Sequence, residues 1–323
     1  MTTPPAATRP WVIITDYPRW PSPYFAHLHR HTPQSLPLTF RPDLAGVHEL
    51  QPPGVLNLHR LKRLYHDPAH GARTSQAADE LLTTLTRLRQ AGWRLVWTVH
   101  NLKPIDGDAA TGIDNAVTQG VLDLADIVLC HTSADAVALR CRTSADVRVV
   151  GWAGLDDPEQ PPSRVLAELR RATADAGRRV IWHPHRVSPQ QAGHLYAAAH
   201  AAVCPYRTDE DFGFFADVLH PSSVTTATCY QVPVVAPGLP AIEEITRGRP
   251  RWLTPARDGL GPALAAAEAA LMSPAHADMS AHRPPSDSAT RWQRIGRIYQ
   301  ALAAELLPDE LSATPTPTGE HHR

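Results

Sequence analysis

Arg94-Leu95-Val96-Trp97-Thr98-Val99, followed at once by His100-Asn101, is the stretch that decides the fold. A short apolar run ending in polar residues reads as a strand buried on both faces and its exit loop. The residues before it read as a helix from Ser75 to Arg89, because Ala78, Leu81, Leu82, Leu85 and Leu88 recur at helical spacing. Ser75 is placed to cap that helix and Gly92 lies just beyond its end. Helix, turn and buried strand in this order form half of a βαβ unit.

Outward from this unit the alternation repeats. Val12-Ile13-Ile14 reads as a first strand leaving through Thr15-Asp16, and Val55-Leu56-Asn57-Leu58-His59 reads as another. A helix through Ala116, Val117, Val121, Leu122 and Leu124 leads to a strand at Ile127-Val128-Leu129-Cys130, and Val147 to Val150 is one more, ending at Gly151. Residues 18 to 53, rich in proline and histidine, give no clear assignment. Alternating strands and helices imply a parallel sheet with right-handed crossovers and helices on both faces.

A second series follows the acidic, proline-rich stretch from Trp152 to Pro162, which reads as a linker. It runs helix (164–176), strand (180–182), helix (189–201), strand (202–204), helix (222–230), strand (232–236) and helix (262–271). An amphipathic helix from Ser288 to Leu307 closes the series, with Trp292, Ile295, Ile298, Tyr299 and Leu302 on one face. The expected division is a Rossmann-like domain over 1–151 and a second over 152–285. The helix of 286–307 is expected to pack back on the first, and 308–323 to form a disordered tail. A length of 323 residues suits two such domains.

Composition removes several classes of function. With 31 basic and 32 acidic residues the net charge is -1, and no basic arm or face points to nucleic acid. No apolar run is long enough to span a bilayer, and the proline-rich N-terminus lacks the order of a signal peptide. Four scattered cysteines, Cys130, Cys141, Cys204 and Cys229, form no CxxC pair, and Cys130 and Cys204, inside apolar runs, read as reduced, buried thiols. A cytoplasmic location is the expectation. The 18 histidines include His27-Leu28-His29-Arg30-His31 and His183-Pro184-His185, but neither has zinc-finger or HExxH spacing. No metal is expected.

Doubly wound sheets bind ligands beyond the C-terminal ends of their strands. In the first half those positions hold Asp16, His59, His100-Asn101 and His131-Thr132, an ionisable residue at each exit. In the second half they hold His183-Pro184-His185-Arg186, Pro205-Tyr206-Arg207 and Pro237-Gly238. Pro221-Ser222-Ser223-Val224 opens a helix whose backbone amides and hydroxyls suit a diphosphate, or else carry a plain serine cap. Arg207 adds a guanidinium for a phosphate. Tyr17, Trp20 and Tyr24 concentrate aromatic rings beside the first strand exit, suited to stacking on a sugar or flat heterocycle or to packing as a lid. Neither a P-loop nor a GxGxxG with a following acid is present, which disfavours kinase and dehydrogenase chemistry.

Three segments in order, RLVWTVHNLKP, RVSPQQAGHLYAAAHAAVCPYR and VTTATCYQVPVVAPGLPAIEEI, resemble the GT-B glycosyltransferases of bacteria. The resemblance implies two Rossmann-like domains facing across a cleft, acceptor on the N-terminal side and nucleotide sugar on the C-terminal side, with no obligatory metal and no cofactor. It implies that Arg186, Val187 and Ser188 lie near the nucleotide base. Tyr206, Arg207, Ser222, Ser223 and Val224 would lie by the diphosphate and sugar. Glu243 or Glu244 would meet ribose or sugar hydroxyls, although an acidic pair opening a helix also suits the helix dipole. Tyr17, Trp20, Tyr24 and Asn101 fall on the acceptor side. Many retaining members carry two glutamates with seven residues between them, where this chain has Val218 and Thr226. An inverting transfer is therefore the expectation.

Such a transfer needs a base for the acceptor hydroxyl, with Asp16 and His100 as first candidates and His59 as third. The implied reaction moves a hexose, glucose from UDP-glucose, to a small soluble acceptor such as a nucleoside or other specialised metabolite. A GT-B-shaped sugar-nucleotide epimerase and a non-catalytic sugar-nucleotide-binding protein are the alternatives, since fold does not decide function.

Overall fold

The computed structural model describes residues 9–15, 22–50, 53–67, 72–104, 112–155, 188–207, 210–255, 258–273 and 287–307. The first part of the chain runs β1 (Trp11–Ile14), α1 (Pro23–His31), β2 (Leu38–Arg41) and β3 (Val55–Leu58). A two-residue antiparallel pair follows, β4 (His66–Asp67) with β5 (Ala72–Arg73). Then come α2 (Ser75–Gln90), β6 (Arg94–Thr98), α3 (Gly112–Leu124), β7 (Ile127–Cys130), α4 (Ser133–Arg140) and β8 (Asp146–Val149).

Six of these strands form one sheet in the order β2-β1-β3-β6-β7-β8, every neighbouring pair parallel. The chain winds to one side of β1 through β2, then to the other through β3. The switch point therefore lies between β1 and β3, where such sheets hold ligands. Both faces are covered, and successive residues serve opposite cores as strand geometry requires. Val12, Ile14, Leu56, Leu58, Leu95, Trp97 and Val128 pack with α2 and α3 residues such as Leu85, Leu88, Val117 and Val121. Trp11, Ile13, Val55, Val96, Ile127 and Leu129 pack on the other side with Phe25, Leu28, Trp292, Ile295 and Tyr299. This double burial is why the strands read as continuous apolar runs.

The second part contains α5 (Pro189–Ala198), β9 (Ala202–Val203), α6 (Ser222–Cys229), β10 (Val234–Pro237), α7 (Pro240–Ile245), β11 (Arg251–Thr254), α8 (Gly261–Leu271) and α9 (Ser288–Leu306). Its three strands form a parallel sheet in the order β11-β10-β9. Val224, Ala227, Val234, Ala236, Ile242 and Ile245 build its core. The whole is thus an α/β protein with parallel sheets.

Helix α9 lies against the large sheet. Tyr299 sends its hydroxyl to Asn57 (3.4 Å) and Thr98 (3.2 Å), both buried polar side chains of neighbouring strands. The Thr98 hydroxyl also donates to Asn57 Oδ1 at 3.1 Å, and the Tyr299 hydroxyl accepts the Asn57 Nδ2 hydrogen that this pair leaves over. A Cβ on Gly296 would come within 2.2 Å of the His31 carbonyl oxygen, so α9 crosses the end of α1 backbone to backbone and only glycine fits there.

Several expectations change in detail. Thr74, not Ser75, caps α2, its hydroxyl accepting from the Ala77 amide at 3.1 Å. Helix α1 and strand β2 fill the stretch that gave no assignment, and α4 and β11 were not anticipated. In α1 the buried Tyr24, Phe25 and Leu28 are interleaved with histidines, and buried His27 sits on the apolar face, which masks its pattern. The first residues of the supposed linker are packed rather than free. Ala153 is buried with the large-sheet core, and the Gly154 carbonyl accepts from Trp292 Nε1 (2.7 Å) and Ser288 Oγ (3.2 Å). The expected helix of 164–176, the strand of 180–182 and the 308–323 tail lie outside the described residues.

Candidate active site

Parallel strands β3, β6 and β7 are adjacent, so their C-terminal ends fall on one edge, about 4.8 Å apart. Each exit there carries a histidine: His59 directly after β3, His100 two residues after β6, His131 directly after β7. A fourth, His220, comes from the turn ahead of α6. An antiparallel bridge between Asn101 and Leu219 brings it in, together with a hydrogen bond from the His220 amide to the His100 carbonyl at 2.8 Å. His59 Nδ1 stands 3.0 Å from His100 Nε2, while His100 Nδ1 stands 3.2 Å from His131 Nε2 and 3.4 Å from His220 Nδ1. The rings of His131 and His220 stack with centroids 4.0 Å apart. The Tyr24 ring meets His100 edge-on at 4.8 Å and lies within 6.1 Å of the other three.

Burial governs the charge of this cluster. Loss of hydration pushes His59, His100 and His220 well below the ordinary histidine range, and neighbouring imidazoles and Arg60 push His59 and His100 further. The same burial lowers His131 to about 4, against the opposing hydrogen bond with the Gly151 carbonyl. All four imidazoles are therefore neutral at pH 7. His131 Nδ1 sits 2.9 Å from the Gly151 carbonyl, which can only accept, so Nδ1 carries the hydrogen and Nε2 presents its lone pair to His100. Gly151 has a φ of 82°, a left-handed backbone that glycine adopts without a Cβ penalty.

Three of the four histidines, His59, His100 and His220, line a cavity of about 280 Å³. Tyr24 and Asn101 line it as well. The basic side chains of Arg60, Lys62, Arg63 and Lys103 line one side, and Ser222 reaches in from the first turn of α6. The volume lies near the lower end for small-molecule sites, enough for a single sugar-sized molecule. Among the cavity-lining residues, the buried atoms without a hydrogen-bond partner include His59 Nε2 and Asn101 Oδ1. Leaving a buried polar atom unpaired costs on the order of 1–3 kcal/mol. Asn101 Oδ1 belongs to a cavity-lining residue and suits a ligand hydroxyl.

The candidate residues divide. His59, His100, Tyr24, Asn101 and Ser222 meet around this cavity. Asp16, Tyr17, Trp20, Arg186 and Val187 lie outside the described residues. Most of the others are engaged by the protein itself. Glu244 sits at the start of α4, where its two carboxylate oxygens accept from the amides of Ser133 and Ala134, each at 2.8 Å. Ser188 caps α5 in a reciprocal capping box with Gln191. Val224 is wholly buried in the small-sheet core and offers no side-chain surface to a ligand. The Arg207 guanidinium lies 4.2 Å from the Phe212 ring centroid, and Tyr206 is hydrogen-bonded to Ser223. Glu243 is exposed, with Oε1 against Gly238.

His220 was missed as a site residue. It sits on no apolar strand end, and its only local signal is its place two residues before the α6 serines. Nor does any motif mark the meeting of His100, His131 and His220, whose ring nitrogens lie within 4.8 Å of one another.

No family model matches this chain, and neither does any curated protein. Among solved structures it is similar to the sucrose-phosphate synthase from Thermosynechococcus elongatus, with a TM-score of 0.51 at 15% identity, covering 85% of this chain and 82% of that one. The described helices hold none long and apolar enough to cross a membrane. The likeness is one of fold, an α/β architecture of parallel sheets whose ligand edge here carries four histidines.

Proposed function

We propose that this chain is a glycosyltransferase of GT-B type, with domains over 1–151 and 152–285 facing across a cleft and the 286–307 helix returning to the first. The reaction proposed is transfer of a hexose, glucose from UDP-glucose, to a hydroxyl of a small acceptor such as a nucleoside or other specialised metabolite, with inversion. The observation that carries the reading is the cavity where His59, His100 and Asn101 at the large-sheet edge meet Ser222 at the start of α6. The shared fold with a sucrose-phosphate synthase supports it.

In this mechanism the acceptor lies against Tyr24 and Asn101, and its hydroxyl proton passes to the neutral histidine cluster through His100, or to Asp16. Neutral imidazole is the right form for a base, and a positioned one contributes about 10²–10⁴-fold. The amides at the start of α6 and the basic side of the cavity stabilise the charge gathering on the leaving diphosphate. No cofactor takes part, and the nucleotide sugar is a co-substrate. Thermal-shift measurements with UDP-, TDP- and GDP-sugars test the reading, because a ligand bound only by the native state raises the melting temperature. No shift with any of them at high concentration overturns it.

A second reading has its own support. Both ring nitrogens of His100 face other imidazoles, at 3.0, 3.2 and 3.4 Å, which leaves that residue no free nitrogen for an acceptor hydroxyl. A non-catalytic sugar-nucleotide-binding protein accommodates that. Thermal stabilisation by UDP-sugar with no UDP release across an acceptor panel favours it over transfer.

A further inference from the structure

We infer that His100, His131 and His220 form a binding site for one divalent transition-metal ion, zinc by its ligand set, beside the cavity that His100 and His220 line. The inference stands on the cluster and does not depend on glycosyl transfer; with an ion bound, His100 is a ligand and the base of a transfer reaction falls to Asp16.

The first support is spacing. Nitrogens bound at about 2.0–2.1 Å to a tetrahedral ion stand about 3.3 Å apart. His100 Nδ1 lies 3.2 Å from His131 Nε2 and 3.4 Å from His220 Nδ1, and the three residues' ligand atoms all lie within 4.8 Å. Small ring rotations close the remaining edge.

The second is proton bookkeeping. The Gly151 carbonyl requires the hydrogen of neutral His131 on Nδ1, so Nε2 offers a lone pair to His100 Nδ1. His100 Nδ1 faces two nitrogens at once and holds at most one hydrogen. If it carries that hydrogen, His131 and His220 must share it. If it does not, its lone pair faces that of His131. Three lone pairs around a cation satisfy every contact.

The third is the outer layer of hydrogen bonds. Metal-binding histidines usually donate their second N–H to a carbonyl or another acceptor, which sets ring orientation and tautomer. Here His131 Nδ1 meets the Gly151 carbonyl at 2.9 Å, and His100 Nε2 meets His59 Nδ1 at 3.0 Å. His100 and His220 also line the cavity, giving an ion a way in and leaving its fourth position for water or a ligand oxygen. Three histidines with one open position suit zinc.

The test uses the full chain without an affinity tag, stripped with chelator and titrated with Zn²⁺ against a chromophoric competitor, then with Co²⁺ in the visible range. One equivalent per chain and a tetrahedral cobalt spectrum are expected. His131→Ala and His220→Ala should each weaken binding at least 100-fold. His59→Gln, which keeps all three ligands, should weaken it about 10- to 100-fold. Stoichiometric binding unchanged in the His100→Ala/His131→Ala/His220→Ala variant overturns the proposal, because the other fifteen histidines would then hold the metal. Should those variants fail to fold, X-ray absorption of the wild-type zinc complex decides. Three imidazole ligands support the site and fewer than three overturn it.

Discussion

The two sides of the molecule spend their polar groups differently. At the edge of the six-stranded sheet, His59, His100, Asn101 and His220 surround a cavity, and His59 Nε2 and Asn101 Oδ1 are buried without a partner. Around the three-stranded sheet several candidate residues are engaged by the protein, although Thr254 Oγ1 and His194 Nε2 are buried there without a partner. Glu244 caps α4, Ser188 caps α5, and Arg207 covers Phe212. A buried polar atom left unpaired is costly, and a site that retains one is set up for a ligand. A carboxylate or hydroxyl already holding backbone amides is stabilising the fold. Motif position ranked the two sides equally, whereas the partners of the candidate residues, caps on one side and a shared cavity on the other, separate them.

That contrast can be broken most readily at His100. His100→Ala should lower turnover by about 10²–10⁴-fold in a transfer assay if the cluster takes the acceptor proton. If His100→Ala and Asp16→Asn both keep near-full turnover, the large-sheet edge loses its catalytic role.

The next effect lies where the two sides join. Asp135 accepts from the amides of Thr132 and Leu219, tying the α4 cap to the segment that delivers His220. Burial raises its carboxyl to about 6, against hydrogen bonds that pull it down. The native state therefore holds this proton more tightly than the unfolded chain, whose aspartates titrate near 4. The stabilisation is complete below about pH 4, is lost as pH rises through about 6, and amounts to about 3 kcal/mol. Denaturant melts of the wild type and Asp135→Asn across this range should differ in slope, the variant lacking that fall. Equal slopes would remove Asp135 as a linkage group.

Smaller effects sharpen the other side. Glu244→Gln removes a carboxylate from the start of α4 and should cost about 1–2 kcal/mol in chemical denaturation, through lost charge and one lost acceptor. Nucleotide-sugar affinity, read by calorimetry, should change less than twofold, and a tenfold loss would return Glu244 to the ligand site. Ser188→Ala should cost about 1 kcal/mol, the usual value of an N-cap, again without altering affinity.

Much of the large sheet was legible because its strands are buried on both faces. Ile127-Val128-Leu129-Cys130 and Val55-Leu56-Asn57-Leu58 needed no tertiary information to be found. Their exits placed His59, His100 and His131 on one edge for the same reason, since parallel strands share a direction. Helix α1 escaped notice because buried His27 stacks on Trp292 with ring planes 9° apart, a polar residue serving a core position. His220 escaped because it reaches His100 from 120 residues away through a short antiparallel bridge. The capping role of Glu244 depends on α4, more than a hundred residues earlier in the chain.

The residue string by itself determined that strands and helices alternate, that the sheets are parallel, and that ionisable groups sit at the strand exits. These follow from local periodicity and chain direction, which neighbouring residues carry. Only the tertiary structure decided which of those groups share a cavity and which are consumed as caps or core. Hydrogen-bond partners and distances of about 3 Å between imidazoles arise between distant segments, where no local pattern records them. His100 shows both halves of this: its place at the β6 exit was local information, and its company of three other histidines was not.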